Sequence, residues 1–162
     1  MLALAVIVST ALALAFGAPV DVIAPGVPTH FVSTQNPSLV FAPASASATA
    51  DLQASNPGDG SASDITALIP VKGSGVPTQI ALGDFCVTAN GVVPGTATQT
   101  LHMAPCDDSD PTQLWVIDST VSNADGNCIT LGRAALNVPV TLGVCSDVLN
   151  SRQTWNAVPA AL

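Results

Sequence analysis

The chain has 162 residues, with three Lys or Arg against eleven acidic side chains, a formal net charge of −8, and only 9% charged and 4% aromatic residues. So acidic a chain lacks the cationic footprint that phosphate backbones and anionic lipids require, which excludes nucleic acid and membrane surfaces as expected partners. It contains no Glu, no imidazole beyond His30 and His102, and no nucleophile-elbow or metalloprotease motif, so an enzyme is not expected and no cofactor is implied.

In chain order, Leu2 to Phe16 is an uncharged apolar run followed by small residues and Pro19. It falls short of the roughly 20 residues that span a bilayer and reads as a secretory signal peptide over 1–17, cut after Gly17; a membrane anchor is the alternative. Export makes the four cysteines into two expected disulfides, for which three connectivities are open. Spacing favours neighbours, Cys86 with Cys106 and Cys128 with Cys145, and no pair has the CxxC spacing of a zinc site.

Residues 18–28 read as a short leader. The whole stretch to Lys72 is rich in Pro, Ser and Ala and has neither Cys nor Trp. It reads either as a disordered or O-glycosylated segment or as a degenerate first copy of the repeat that follows; the second reading is preferred, because two units alone would leave sheet edges open.

From Gln79 the sequence "QIALGDFCVTANGVVPGTATQTLHMAPCDDSDPTQLWVI" is echoed from Ser122 by "SNADGNCITLGRAALNVPVTLGVCSDVLNSRQTWNAV". Cys86 and Cys128, Cys106 and Cys145, and Trp115 and Trp155 lie 42, 39 and 40 residues apart, and Gln113 and Gln153 each stand two residues before their Trp. Short β-branched runs alternate with Gly, Pro, Asn and Asp clusters, so an all-β domain of strands about ten residues apart is expected. Asp107, Asp108 and Asp110 read as a solvated turn ahead of Pro111; a calcium loop is the alternative, without matching spacing.

Two copies of Cys-(Val/Ile)-Thr, a second Cys after a β run, and then Gln-x-Trp resemble the ricin B-type lectin repeat, with the nearest likeness to secreted fungal members. The resemblance implies a β-trefoil, here one domain over 29–162 with a degenerate unit at 29–75 and clear units at 76–118 and 119–160. It makes Trp115 and Trp155 core residues, with Gln113 and Gln153 bonding the backbone beside them. It also implies glycan partners, of galactose type or a fungal or plant polysaccharide, for a secreted monomer.

In that family a carboxylate sits two residues after the first Cys, a ring just before the second, and an amide just before Gln-x-Trp. Here the first position holds Thr88 and Thr130, and the last holds Thr112 and Arg152. The ring position falls among Ala104, Pro105, Gly143 and Val144. Thr cannot offer the two-oxygen acceptor that a carboxylate can. The candidate sugar contacts are therefore weak ones, Thr88, His102, Thr112, Thr130 and Arg152, with Asp84 and Asn90 nearby and Phe31 and Phe41 as the remaining platforms. A trefoil without a sugar site, serving as a protease inhibitor or secreted effector, is the other expectation.

Overall fold

A computed structural model describes residues 23–58, 63–90, 99–146 and 150–160. The expected signal peptide and residues 18–22 of the leader lie outside them. Twelve strands occur among the described residues, and in chain order they fall into three sets of four. The first holds β1 (Thr29–Ser33), β2 (Val40–Pro43), β3 (Leu52–Ser55) and β4 (Ile69–Pro70). The second holds β5 (Ile80–Leu82), β6 (Phe85–Ala89), β7 (Gln99–Pro105) and β8 (Trp115–Ile117). The third holds β9 (Val121–Asn123), β10 (Asn127–Leu131), β11 (Val140–Val144) and β12 (Trp155–Pro159). A single-turn 3-10 helix, Pro111–Gln113, precedes β8.

The first and last strands of the sets close into a ring. Ladders join β12 to β1, β4 to β5 and β8 to β9. Bridges at the strand ends complete it, Leu68 with Thr29, Trp115 with Thr78 and Thr154 with Thr120. The middle strands form the hairpins β2–β3, β6–β7 and β10–β11. Their second strands meet through Asp51 and His102, Gln53 and Pro139, and the β7–β11 ladder. A six-stranded barrel capped by hairpins is the β-trefoil that the resemblance implies, and its closure leaves the barrel strands no free edge.

The turns explain two landmarks of the sequence. Gly83 and Gly126, each just ahead of the first Cys of its repeat, have φ of 58° and 74°, a region that residues with a Cβ seldom adopt. They turn β5 into β6 and β9 into β10. Thr49, in the β2–β3 loop, has φ of 68° although it is β-branched, and its N–H donates to Met103 O at 2.7 Å. The left-handed region costs a residue with a Cβ about 1–2 kcal/mol, and glycine gives back part of that by its freedom when unfolded. Thr49→Gly should therefore raise stability by about 0.5–1 kcal/mol, read as a higher midpoint in thermal or urea unfolding; a lower midpoint would contradict a strained Thr49.

The core is one cluster fed by all three sets, including Phe31, Phe41, Leu68, Met103, Trp115, Ile129, Leu142 and Trp155. Ile23 joins it, and Gly26 N donates to Pro70 O at 2.8 Å, so the last residues before β1 pack on the barrel. Both disulfides are formed between sequence neighbours, Cys86 with Cys106 and Cys128 with Cys145. No helix among the described residues is long and apolar enough to cross a membrane.

Candidate functional site

The Gln-x-Trp residues do the same work twice. Trp115 Nε1 donates to Val87 O at 2.9 Å and Trp155 Nε1 to Ile129 O at 2.9 Å, in each case the carbonyl of the residue after the first Cys. Gln113 Nε2 donates to Pro105 O while its Oε1 accepts from Asp107 N, both at 2.9 Å, so the amide clips the backbone on either side of Cys106. Gln153 does the same around Cys145, through Val144 O and Ser146 N, both at 2.9 Å. One tripeptide thus pins both ends of its disulfide hairpin. Both glutamines are buried, so these bonds also satisfy amides that would otherwise be costly to enclose.

The first set reaches the same geometry with other residues. Leu68 exchanges two backbone bonds with Thr29, at 2.8 and 3.0 Å, as Trp115 does with Thr78. Where Gln79 Nε2 donates to Gln113 Oε1 in the second set, His30 Nε2 stands 3.2 Å from Thr66 Oγ1 and 3.1 Å from Asp64 Oδ2. A carboxylate only accepts, so Nε2 carries the proton in this contact. The ring-sized volume comes from Phe31 and Phe41, stacked with centroids 4.8 Å apart, and Phe41 meets Trp155 edge to face at 5.0 Å.

Placement of the sequence candidates limits what the family position can do. Thr88 is 5% exposed, and its hydroxyl donates to Cys86 O at 3.0 Å. Thr130 repeats that bond to Cys128 O at 2.9 Å and also accepts from Gln153 Nε2 at 3.1 Å. Both hydroxyls therefore serve the fold. His102 is paired across the ladder with Thr88, and its Nδ1 is buried with no partner among the described residues. Arg152 is exposed, and its N–H donates to Asn150 Oδ1 at 3.0 Å. Phe31, Phe41 and Trp115 are 0% exposed and Trp155 is 2% exposed, which removes the two phenylalanines as stacking platforms. Phe85 is half-buried against the core.

Thr112 has a different setting. It caps its own turn on Asp110, whose Oδ1 accepts from Thr112 N at 2.8 Å and from Oγ1 at 2.6 Å. The turn borders a cleft of about 240 Å³ lined by Asn90 at the end of β6, Gln99 at the start of β7, Pro111, Thr112, and the β9–β10 turn with Asn123 and Asp125. Asn90 Nδ2 donates to Thr100 Oγ1 at 2.5 Å. Asn123 Oδ1 accepts from Asp125 N at 3.2 Å and from Asn127 N at 3.0 Å, which fixes the turn that presents Asp125. Among the sequence candidates the cleft gathers Thr112 and Asn90; Thr88, His102, Thr130 and Arg152 do not line it. Gln99, Asn123 and Asp125 carry no signal in the sequence, since Gln99 lies far along the chain from the Asn123–Asp125 turn and none of them belongs to a motif.

The acidic turn is a different structure. Asp107 Oδ1 accepts from Ser109 Oγ at 2.6 Å and from Ser109 N at 2.8 Å. Those two bonds, the side-chain one first, hold its carboxyl below the ordinary Asp value. Asp110 is likewise engaged by its own turn, and no group of three His, Cys, Asp or Glu suited to a metal ion occurs among the described residues.

No protein-family model and no curated protein sequence matches the chain. Solved structures do. The C-half of an earthworm R-type lectin, in complex with GalNAc, superposes with a TM-score of 0.61 at 10% identity, over 82% of this chain and 98% of that one. A mutant of the earthworm lectin C-terminal domain, in complex with 6'-sialyllactose, gives a TM-score of 0.61 at 11% identity, over 82% and 98%. A mosquitocidal holotoxin gives 0.61 at 14% identity, over 85% of this chain but only 17% of the toxin. At these identities the likeness is one of fold.

Proposed function

We propose that the protein is a secreted, ricin B-like carbohydrate-binding module that acts by binding rather than catalysis, as a monomer. The observation that carries this reading is the cleft beside the Pro111–Gln113 turn. There three amides, a hydroxyl and a carboxylate converge on a space sized for one sugar ring. Sugar hydroxyls donate and accept in pairs, and Asn and Gln amides do the same, so these side chains can meet a polyol, although most of the cleft surface is apolar, with Ala89, Pro111 and Ala124 also in its lining. The earthworm lectin domain of the same fold holds GalNAc, which supports a glycan as the class of partner. Two disulfides fit an oxidising compartment.

A second reading is favoured by a specific observation: among the described residues no aromatic ring lines the cleft. Sugar binding there would proceed without stacking and would be weak, whereas a protein-interaction trefoil, such as a protease inhibitor or secreted effector, needs no ring in that place. A glycan array followed by titration calorimetry distinguishes the two. Millimolar to high-micromolar binding to a defined glycan is expected; no glycan bound at millimolar concentration, together with a stoichiometric complex with a protease or another secreted protein, would establish the second reading.

A further inference from the structure

We infer that Asp125 supplies the carboxylate of the sugar site from the next set of strands, and that the cleft in consequence selects uncharged sugars. This rests on the carbohydrate reading of the same cleft. A carboxylate contributes to sugar recognition by accepting from two neighbouring hydroxyls at once, with charge-assisted bonds stronger than neutral ones. The position two residues after Cys86 cannot provide it, because Thr88 is buried and committed to Cys86 O. Asp125, which lines the cleft, is exposed and its carboxylate has no hydrogen-bond or ion-pair partner among the described residues. By contrast, the carboxylates of Asp64, Asp107 and Asp110 are all engaged. The Asp125 backbone is held by Asn123 Oδ1, so the residue sits on a fixed turn in a lining that it shares with Asn90 and Gln99.

Charge then determines what can enter. Among the described residues no cation lines the cleft, and the whole chain carries a formal net charge of −8 with three basic residues. An acidic sugar would bring its carboxylate toward Asp125 without a counter-charge, within the roughly 8 Å over which charges act at physiological salt. A neutral hexose or N-acetylhexosamine meets no such penalty.

The test is a titration of the full protein with galactose, N-acetylgalactosamine and cellobiose as neutral probes, and with 6'-sialyllactose and cellobiouronic acid as acidic ones. The strongest neutral binder is then repeated on D125N, N90A and, as an exposed acidic control outside the cleft, D108N. Neutral probes are expected to bind more tightly than acidic ones, with D125N weakening the strongest at least tenfold and D108N leaving it unchanged. The melting temperature of D125N should match the parent, since the carboxylate holds nothing in the fold. Neutral binding unaffected by D125N and N90A, an equal loss in D108N, or preference for the acidic probes would overturn the assignment of Asp125 while leaving carbohydrate binding in place. Absence of binding to every probe would overturn carbohydrate binding itself, and this inference with it.

Discussion

Replacing Trp155 by alanine should lower stability by about 3–5 kcal/mol, the range for truncating a large ring in a packed core. Trp155 is 2% exposed, meets Phe41 edge to face at 5.0 Å and donates from Nε1 to Ile129 O. The substitution thus removes ring volume from the core and leaves the Ile129 carbonyl without its indole partner. Phe41 belongs to the first set of strands and Ile129 to the third, so the ring joins two parts of the chain that are distant in sequence. W155F keeps a ring but not the Nε1 bond and should fall between the parent and W155A. Urea unfolding reads both; a W155A loss below about 1 kcal/mol would mean that the ring is not a core member.

Removing one disulfide should rank next. Cys86–Cys106 closes a loop of 20 residues and Cys128–Cys145 one of 17, for which the chain-entropy relation gives about 3 kcal/mol each. Because Gln113 and Gln153 also clip the backbone on both sides of the second Cys, the folded hairpin keeps its shape without the bond. The loss should therefore come from the unfolded chain rather than from a rearranged native state. C86A/C106A and C128A/C145A are expected to lower the unfolding free energy by similar amounts. Their amide spectra should change only near the altered residues. A loss confined to one of the two, or a spectrum altered throughout, would contradict equivalent roles.

How much of this could be read from the chain depends on the size of the side chains involved. The trefoil was legible because Cys and Trp are rare and large and recur in the order Cys, Cys, Gln-x-Trp at nearly constant offset. The structure gives that order a physical reason, since Trp bonds the strand of the first Cys and Gln the strand of the second. In the first set the landmarks are gone. Leu68 takes the place of a Trp in the barrel bridge, and His30 with Thr66 and Asp64 takes the place of an amide pair, substitutions that keep the contacts but not the letters.

The cleft was much less legible. Thr112 stands at a family position and lines it, as does the nearby Asn90, but the hydroxyls of Thr88 and Thr130 are both bound to carbonyls two residues upstream. Nothing in a single sequence says that a β-strand hydroxyl has turned back on its own backbone. Asp125 belongs to no motif, and only the fold brings the turn ahead of Gly126 into one lining with Asn90 and Gln99.

The most direct measurement is a backbone amide shift map of the protein titrated with its strongest-binding neutral sugar. Saturable shifts confined to Asn90, Gln99, Thr112 and Asn123–Asp125 are expected. Shifts clustered at Thr130 and Arg152, or none at all at millimolar sugar, would contradict a carbohydrate site in this cleft.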